Sequence, residues 1–213
     1  MRRKLSKVDL TYMRIPRRYW GVRLGLINED YRKYVYRYLK GLDSNIRAGK
    51  GVLLFGPNGV GKTGAIVVVA KEVRRRGYTV LFVEGLMLME IFLGKVMFED
   101  GQSLYERMLE VDYLVIDDLG KGTGDSKGFL ISKLEGVLRA RYDEKKVTSI
   151  TTNMTPRELS MYFSESGMSI LKAIVTPIHC EGRDMRLEFD IGGTSKDRED
   201  REAGKGEGGN EDK

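Results

Sequence analysis

At 213 residues, 41% apolar and 32% charged, the chain is long enough to bury one α/β core and too apolar for a disordered protein. No apolar run reaches the length a bilayer requires, and the basic front lacks the uninterrupted apolar stretch of a secretory signal, so a cytoplasmic protein with no membrane partner is expected. One cysteine, Cys180, excludes an internal disulfide, and with His179 as the single histidine no zinc constellation can assemble; both are expected to be packing residues. The net charge of +6 is uneven, because residues 1–40 hold twelve Lys/Arg against three Asp/Glu. Such a front suits a phosphate backbone and suits a solvated helix face equally well.

In chain order, the first thirteen residues, MRRKLSKVDLTYM, form a basic segment in which Leu5, Val8 and Tyr12 would share one face of a short helix, enough for a partner groove. Between Asn28 and Leu42, Tyr31, Tyr34, Val35, Tyr38, Leu39 and Leu42 recur at helical spacing, with Arg32, Lys33, Arg37 and Lys40 mostly opposite. A tyrosine stripe at that spacing fits a core face better than a base-stacking surface. GVLLF (Gly51–Phe55) reads as a buried strand and runs directly into GPNGVGKTG, that is Gly56, Pro57, Asn58, Gly59, Val60, Gly61, Lys62, Thr63 and Gly64.

That stretch matches G-x-x-x-x-G-K-[ST], in which glycines take positive φ and turn consecutive amides inward as a nest for phosphate oxygens. Lys62 then reaches the β- and γ-phosphates, Thr63 offers its hydroxyl to Mg²⁺, and the next helix aims its N-terminus at the anion. That helix carries Ala65–Ala70, ends on Arg74, Arg75 and Arg76, and is closed by Gly77.

TVLFVE (Thr79–Glu84) and YLVID (Tyr113–Asp117) read as the second and third strands. In LVIDDLG, Asp117 is placed to hold Mg²⁺ through water, and Asp118 to orient and deprotonate an attacking water; the alternative for Asp118 is a helix N-cap. A helix is expected from about Ser126 to Lys145, with Leu130, Leu134, Val137, Leu138 and Arg141 on one side. VTSITTN follows as a fourth strand. Its Asn153 would touch the γ-phosphate and the lytic water, or alternatively cap the next helix. Strands alternating with helices predict an α/β fold: a parallel sheet flanked by helices on both faces. The main domain is expected over residues 14–193, and the tail from 194 to 213, without aromatic or large aliphatic residues, is expected to be disordered.

With these pieces in order, the chain resembles the AAA+ ATPases, P-loop NTPases of the bacterial helicase-loader type (DnaC and DnaI), and their relatives the IstB transposition ATPases. The resemblance covers residues 14 to about 189. It is carried by RIPRRY (Arg14–Tyr19), GVLLFGPNGVGKT, YLVIDDLG, the Arg141–Tyr142 pair before SITTNMTPREL, and EGRDMR (Glu181–Arg186). It implies ATP and Mg²⁺ as cofactors, a homo-oligomer that forms on ATP binding, and single-stranded DNA and a replicative ring helicase as partners in DNA replication. It also implies that Arg186 is a second sensor contacting the nucleotide from its own subunit, and that the segment between the second and third strands meets DNA. In that segment the run Leu86–Leu93 argues for packing, which leaves Lys95 and Arg107 for phosphate contact.

Two departures stand out. Where family loaders carry an arginine finger, this chain has Ser169 and Ile170, with Lys172 nearby; a finger is typically worth about 10³–10⁵ in turnover, so slow hydrolysis is expected unless Arg141 or Arg157 acts across an interface. At the front, the basic segment stands where loaders have a helicase-binding domain. The expected function is therefore an ATP-hydrolysing helicase loader. The alternatives are an IstB-like ATPase on duplex DNA and a nucleotide-gated adaptor with negligible hydrolysis.

Overall fold

The computed structural model describes residues 4–97, 102–120 and 127–185. Five strands form one parallel sheet in the order β2-β3-β4-β1-β5: β1 is Gly51–Phe55, β2 Val80–Glu84, β3 Tyr113–Leu119, β4 Val147–Thr152 and β5 Val175–His179. Alternation along each strand feeds two cores. Val52, Leu54, Val80, Phe82, Tyr113 and Val115 point to one face, and Leu53, Leu81, Val83, Leu114 and Ile116 to the other. The expected α/β sheet with helices on both faces is what the structure shows.

On the first face lie α1 (Lys7–Tyr12), α2 (Glu29–Lys40), α3 (Leu42–Arg47) and α4 (Lys62–Arg75). α4 is buried almost all round, from Gly64 to Val73, because it is clasped between the sheet and α2. The second face is covered by α5 (Leu88–Phe92), α6 (Leu104–Glu110), α7 (Lys127–Asp143), α8 (Pro156–Tyr162) and α9 (Glu165–Ile174). α7 is the helix expected from about Ser126, and Ser126 itself lies outside the described residues. The sheet holds one strand beyond the four expected. β5 is an edge strand of five residues interrupted by Pro177, which an edge tolerates because half its amides need no partner.

Tertiary contacts redraw three of the sequence expectations. α1 docks on the domain: its capping box joins Ser6 and Asp9, Leu10 and Met13 are buried, Asp9 pairs with Arg74 at 3.0 Å, and the Met13 carbonyl accepts the Phe82 amide on the outer edge of β2. Of the face formed by Leu5, Val8 and Tyr12, Leu5 packs against the core while Val8 and Tyr12 are exposed. The tyrosines of α2 divide. Tyr31 and Tyr38 are buried and donate to the carbonyls of Val60 (2.9 Å) and Lys50 (2.7 Å), whereas Tyr34 is exposed. Arg141 is 1% exposed. Its guanidinium donates to Met108, Val111 and Val147 carbonyls and to the Thr148 hydroxyl, so it cannot serve as a finger in a neighbouring subunit.

Candidate functional site

A cleft of about 490 Å³ opens at the C-terminal ends of β1, β3 and β4, the edge of a parallel sheet where ligands bind. Three chain segments meet in it: the loop after β1, the end of β3, and the residue after β4.

The loop from Gly56 to Gly64 has the backbone its sequence predicts. Gly56, Gly59 and Gly61 have φ of +143°, +85° and +90°, and a Cβ on Gly56 would collide with the Cys180 carbonyl oxygen. Asn58, Gly59, Gly61, Lys62, Thr63 and Gly64 line the cleft, while Gly56, Pro57 and Val60 belong to the loop without lining it. Val60 is buried, its carbonyl held by Tyr31, and Gly61 caps the N-terminus of α4, whose first turn carries no acidic side chain. This end of the helix therefore presents amides and a positive dipole to the cleft.

Lys62 is 6% exposed and its ammonium donates to the carbonyls of Gly56 (2.9 Å) and Pro57 (2.6 Å) and to Oδ1 of Asn153 (2.7 Å). The Asn153 amide nitrogen in turn makes a long 3.5 Å contact with Oδ1 of Asp118. Asn153 is thus the link between the lysine and the second carboxylate. It does not cap α8, since Thr155 does so through a capping box with Glu158.

Asp117 and Asp118 sit at an irregularity in the sheet. Ile116 pairs with Ile150 and Leu119 with Thr152, so both aspartates stand opposite Thr151 alone. The Thr151 hydroxyl serves both: it donates to Oδ1 of Asp117 at 2.6 Å and accepts the Asp118 amide at 2.9 Å. Asp118 takes φ +59° there, within the strand, which excludes the N-cap alternative. Asp117 is 6% exposed, and burial pushes its pKa up to about 6, reinforced by the charges of Asp118 and Glu84 and opposed by the hydroxyls of Thr151 and Thr63. Thr63 donates to Oδ2 of Asp117 at 3.1 Å, so a hydroxyl and a carboxylate stand together as hard oxygen donors, the set Mg²⁺ prefers.

Arg186 lies outside the described residues; the preceding Met185 donates its amide to the Gly59 carbonyl at 2.7 Å, which ties the EGRDMR segment to the phosphate loop. On α9 Ser169 and Lys172 are exposed and Ile170 is buried; Arg157 on α8 is exposed. Cys180 is buried as expected, whereas His179 is half exposed, stacked on Phe55 and paired with Glu181.

Sequence reasoning assigned no site role to Thr151, Arg18, Tyr19 or Glu84, all of which touch or line the cleft. Thr151 precedes Asn153 in a run of strand residues and gives no sign of its own. Glu84 is signalled only by register, opposite Asp117.

A model of the IstB-like ATP binding protein family matches residues 29–186. The fold is similar to the crystal structure of DnaI (TM-score 0.68, 23% identity, 84% of this chain and 100% of that one) and to the crystal structure of the DnaC helicase loader (TM-score 0.62, 21% identity, 78% and 100%). The chromosomal replication initiator protein DnaA of Helicobacter hepaticus (strain ATCC 51449 / 3B1) is 25% identical over 128 residues, 60% of this chain. The chain spans 28% of that protein's length. The architecture is that of a P-loop AAA+ domain. Among the described residues no helix is long and apolar enough to cross a membrane.

Proposed function

The chain belongs to the IstB-like ATP binding proteins, and from that premise we propose that it hydrolyses ATP and loads a replicative ring helicase onto single-stranded DNA. The observation that carries the reading is the hydrogen-bonded convergence at one cleft of Lys62, Asn153 and Asp118 with Thr63, Asp117 and Thr151. The likeness of fold to the solved chains of DnaI and of the DnaC helicase loader, each matched over its whole solved length, supports the loader half.

In this reading the nest from Asn58 to Gly64 and the N-terminus of α4 bind the phosphates, with Gly56, Pro57 and Val60 shaping the loop behind them. The Lys62 ammonium, held by carbonyls and Asn153, presents a fixed charge to the β- and γ-phosphates. Mg²⁺, when bound, neutralises charge that develops on the phosphate oxygens; Thr63 and Asp117 are the residues that would hold it. Asn153 orients a water against the γ-phosphorus, and Asp118 takes its proton. Arg186 is proposed as the same-subunit sensor, and ATP binding as the trigger of homo-oligomer assembly.

Steady-state ATP hydrolysis tests this, measured alone and with saturating single- or double-stranded DNA. Stimulation by single strands, abolished in Lys62→Ala, is the expected result. Unchanged turnover in Lys62→Ala overturns the site. The family match equally supports a second reading, an IstB-like ATPase on duplex DNA, for which stimulation by duplex alone is the signature. ATP binding and assembly with no turnover would favour a nucleotide-gated adaptor, consistent with Ser169 and Ile170 where a finger is expected.

A further inference from the structure

A second concave surface lies on the first face of the sheet, away from the nucleotide cleft. It is a groove of about 470 Å³ between α2, the C-terminal half of α4 and the loop before α2. Lys71 in its wall follows Lys62 by nine residues on the same helix, about 13 Å along the axis. The two sites therefore stand at opposite ends of α4.

The groove and its rim are basic and aromatic together. Arg23, Lys40, Arg75 and Arg76 line it, Lys71 is buried in its wall with its ammonium donating to the Trp20 and Val22 carbonyls (2.7 Å each), and Lys33, Tyr36, Arg37 and Lys40 form one exposed stripe of α2 that continues it outward. Glu72 and Asp43 pair with Arg75 and Arg76; Arg23, Lys33, Arg37 and Lys40 form no ion pair among the described residues. Two tyrosine rings are exposed among these cations. Tyr34, 41% exposed, has the Lys33 ammonium 5.0 Å and the Arg37 guanidinium 5.9 Å from its centroid, and Tyr36, 47% exposed, has Lys40 at 5.2 Å. Helix ends attract cations to complement their dipoles, which accounts for Arg37, Lys40, Arg75 and Arg76. It does not account for Arg23 in the loop, for Lys33 early in α2, or for aromatic rings left in water.

We infer that this α2–α4 surface binds single-stranded nucleic acid, its cations following the sugar–phosphate backbone and Tyr34 and Tyr36 stacking unpaired bases. Cations interleaved with exposed rings are the chemistry of a single-strand platform, because a duplex keeps its base faces inside the stack. The inference rests on the DNA-binding half of the proposed function. It assigns that binding to a surface other than the α5–α6 segment.

Fluorescence anisotropy of a labelled oligo(dT) probe, titrated with the full chain in ATP across a salt series, tests it. The triple variant Lys33→Glu, Arg37→Glu, Lys40→Glu is expected to bind at least about 100-fold more weakly, with the log–log salt slope flattened by about 2. Tyr36→Ala is expected to weaken binding about 5- to 100-fold with the slope unchanged. ATP affinity and melting temperature, unchanged in both, show that the variants fold. Wild-type affinity and slope in the triple variant, with loss in Lys95→Glu, overturn the inference while leaving the loader reading intact. A wild-type chain that binds no oligo(dT) overturns both. Tighter binding of duplex than of oligo(dT), lost in the triple variant, overturns the single-strand assignment.

Discussion

Asp117 shows what a buried carboxyl costs at a single residue. Its carboxyl is buried between two hydroxyls with Asp118 and Glu84 nearby, and its pKa rises to about 6 from an ordinary value of 3.8. Between those two values the folded chain keeps a proton that the unfolded chain has released, so this contribution is fully present below about pH 4 and is lost as pH rises through 6. Above pH 6 the buried charge costs about 3 kcal/mol. Asp117→Asn, which keeps an oxygen acceptor without the charge, is therefore expected to melt several degrees higher than wild type at pH 8 and indistinguishably at pH 4, without nucleotide or Mg²⁺. The same variant should lose ATP turnover. Equal melting curves at pH 8 would show that the charge is better solvated than its burial suggests. The residue types at Lys62, Thr63, Asp117 and Asn153 were legible because phosphate chemistry restricts them and their spacing follows strand ends. Their mutual bonds were not, since Lys62 and Asn153 stand 91 residues apart in sequence.

At the scale of elements, the irregularity in β3 depends on a side chain from β4. Two aspartates face one threonine, and the Thr151 hydroxyl replaces the ladder bond that a regular strand would supply. Thr151→Val keeps the shape and removes that hydroxyl; a loss of about 1–3 kcal/mol in chemical denaturation is expected, with kcat for ATP reduced and ATP affinity in EDTA retained. Thr151→Ser should restore kcat. A valine variant with wild-type kcat would remove Thr151 from the positioning of the Asp117 carboxylate and of the Asp118 backbone. Arg141 plays a structural part elsewhere. It ties α7 to the end of α6 and to β4, and burial lowers its pKa to about 9. Arg141→Leu strands several buried carbonyls and should cost about 3–5 kcal/mol, read as a large fall in melting temperature. Helical periodicity placed Arg141 on the buried side with Leu134 and Leu138, yet its charge made an interfacial role equally readable. Only the carbonyls gathered around it decide between them.

For the molecule as a whole, the segment from Leu5 to Met13 is built into the domain. α1 closes the β2 edge through Met13 and buries Leu10, so removing residues 1–13 is expected to destabilise the chain by about 4 kcal/mol, measured by urea unfolding. An unchanged midpoint would show that this packing contributes nothing. The parallel α/β architecture, the phosphate loop and the paired carboxylates were determined by the sequence alone. Each is a local pattern: apolar runs of strand length, glycines where the backbone turns, carboxylates at a strand end. Four of the five strands were legible for the same reason, while β5, short and broken by Pro177, carries no such pattern and exists because the β1 edge offers it amides and carbonyls. The tertiary structure alone decided which tyrosines of α2 are core and which face water, that Arg141 is a buried brace, that the Thr151 hydroxyl bonds the Asp117 carboxylate and the Asp118 amide, and that Arg23 joins the cations of α2 and α4 in one groove. These depend on which distant segments come within hydrogen-bonding distance. A chain's own periodicity does not carry that information, because burial and partner choice are set by the packing of the whole sheet and its helices.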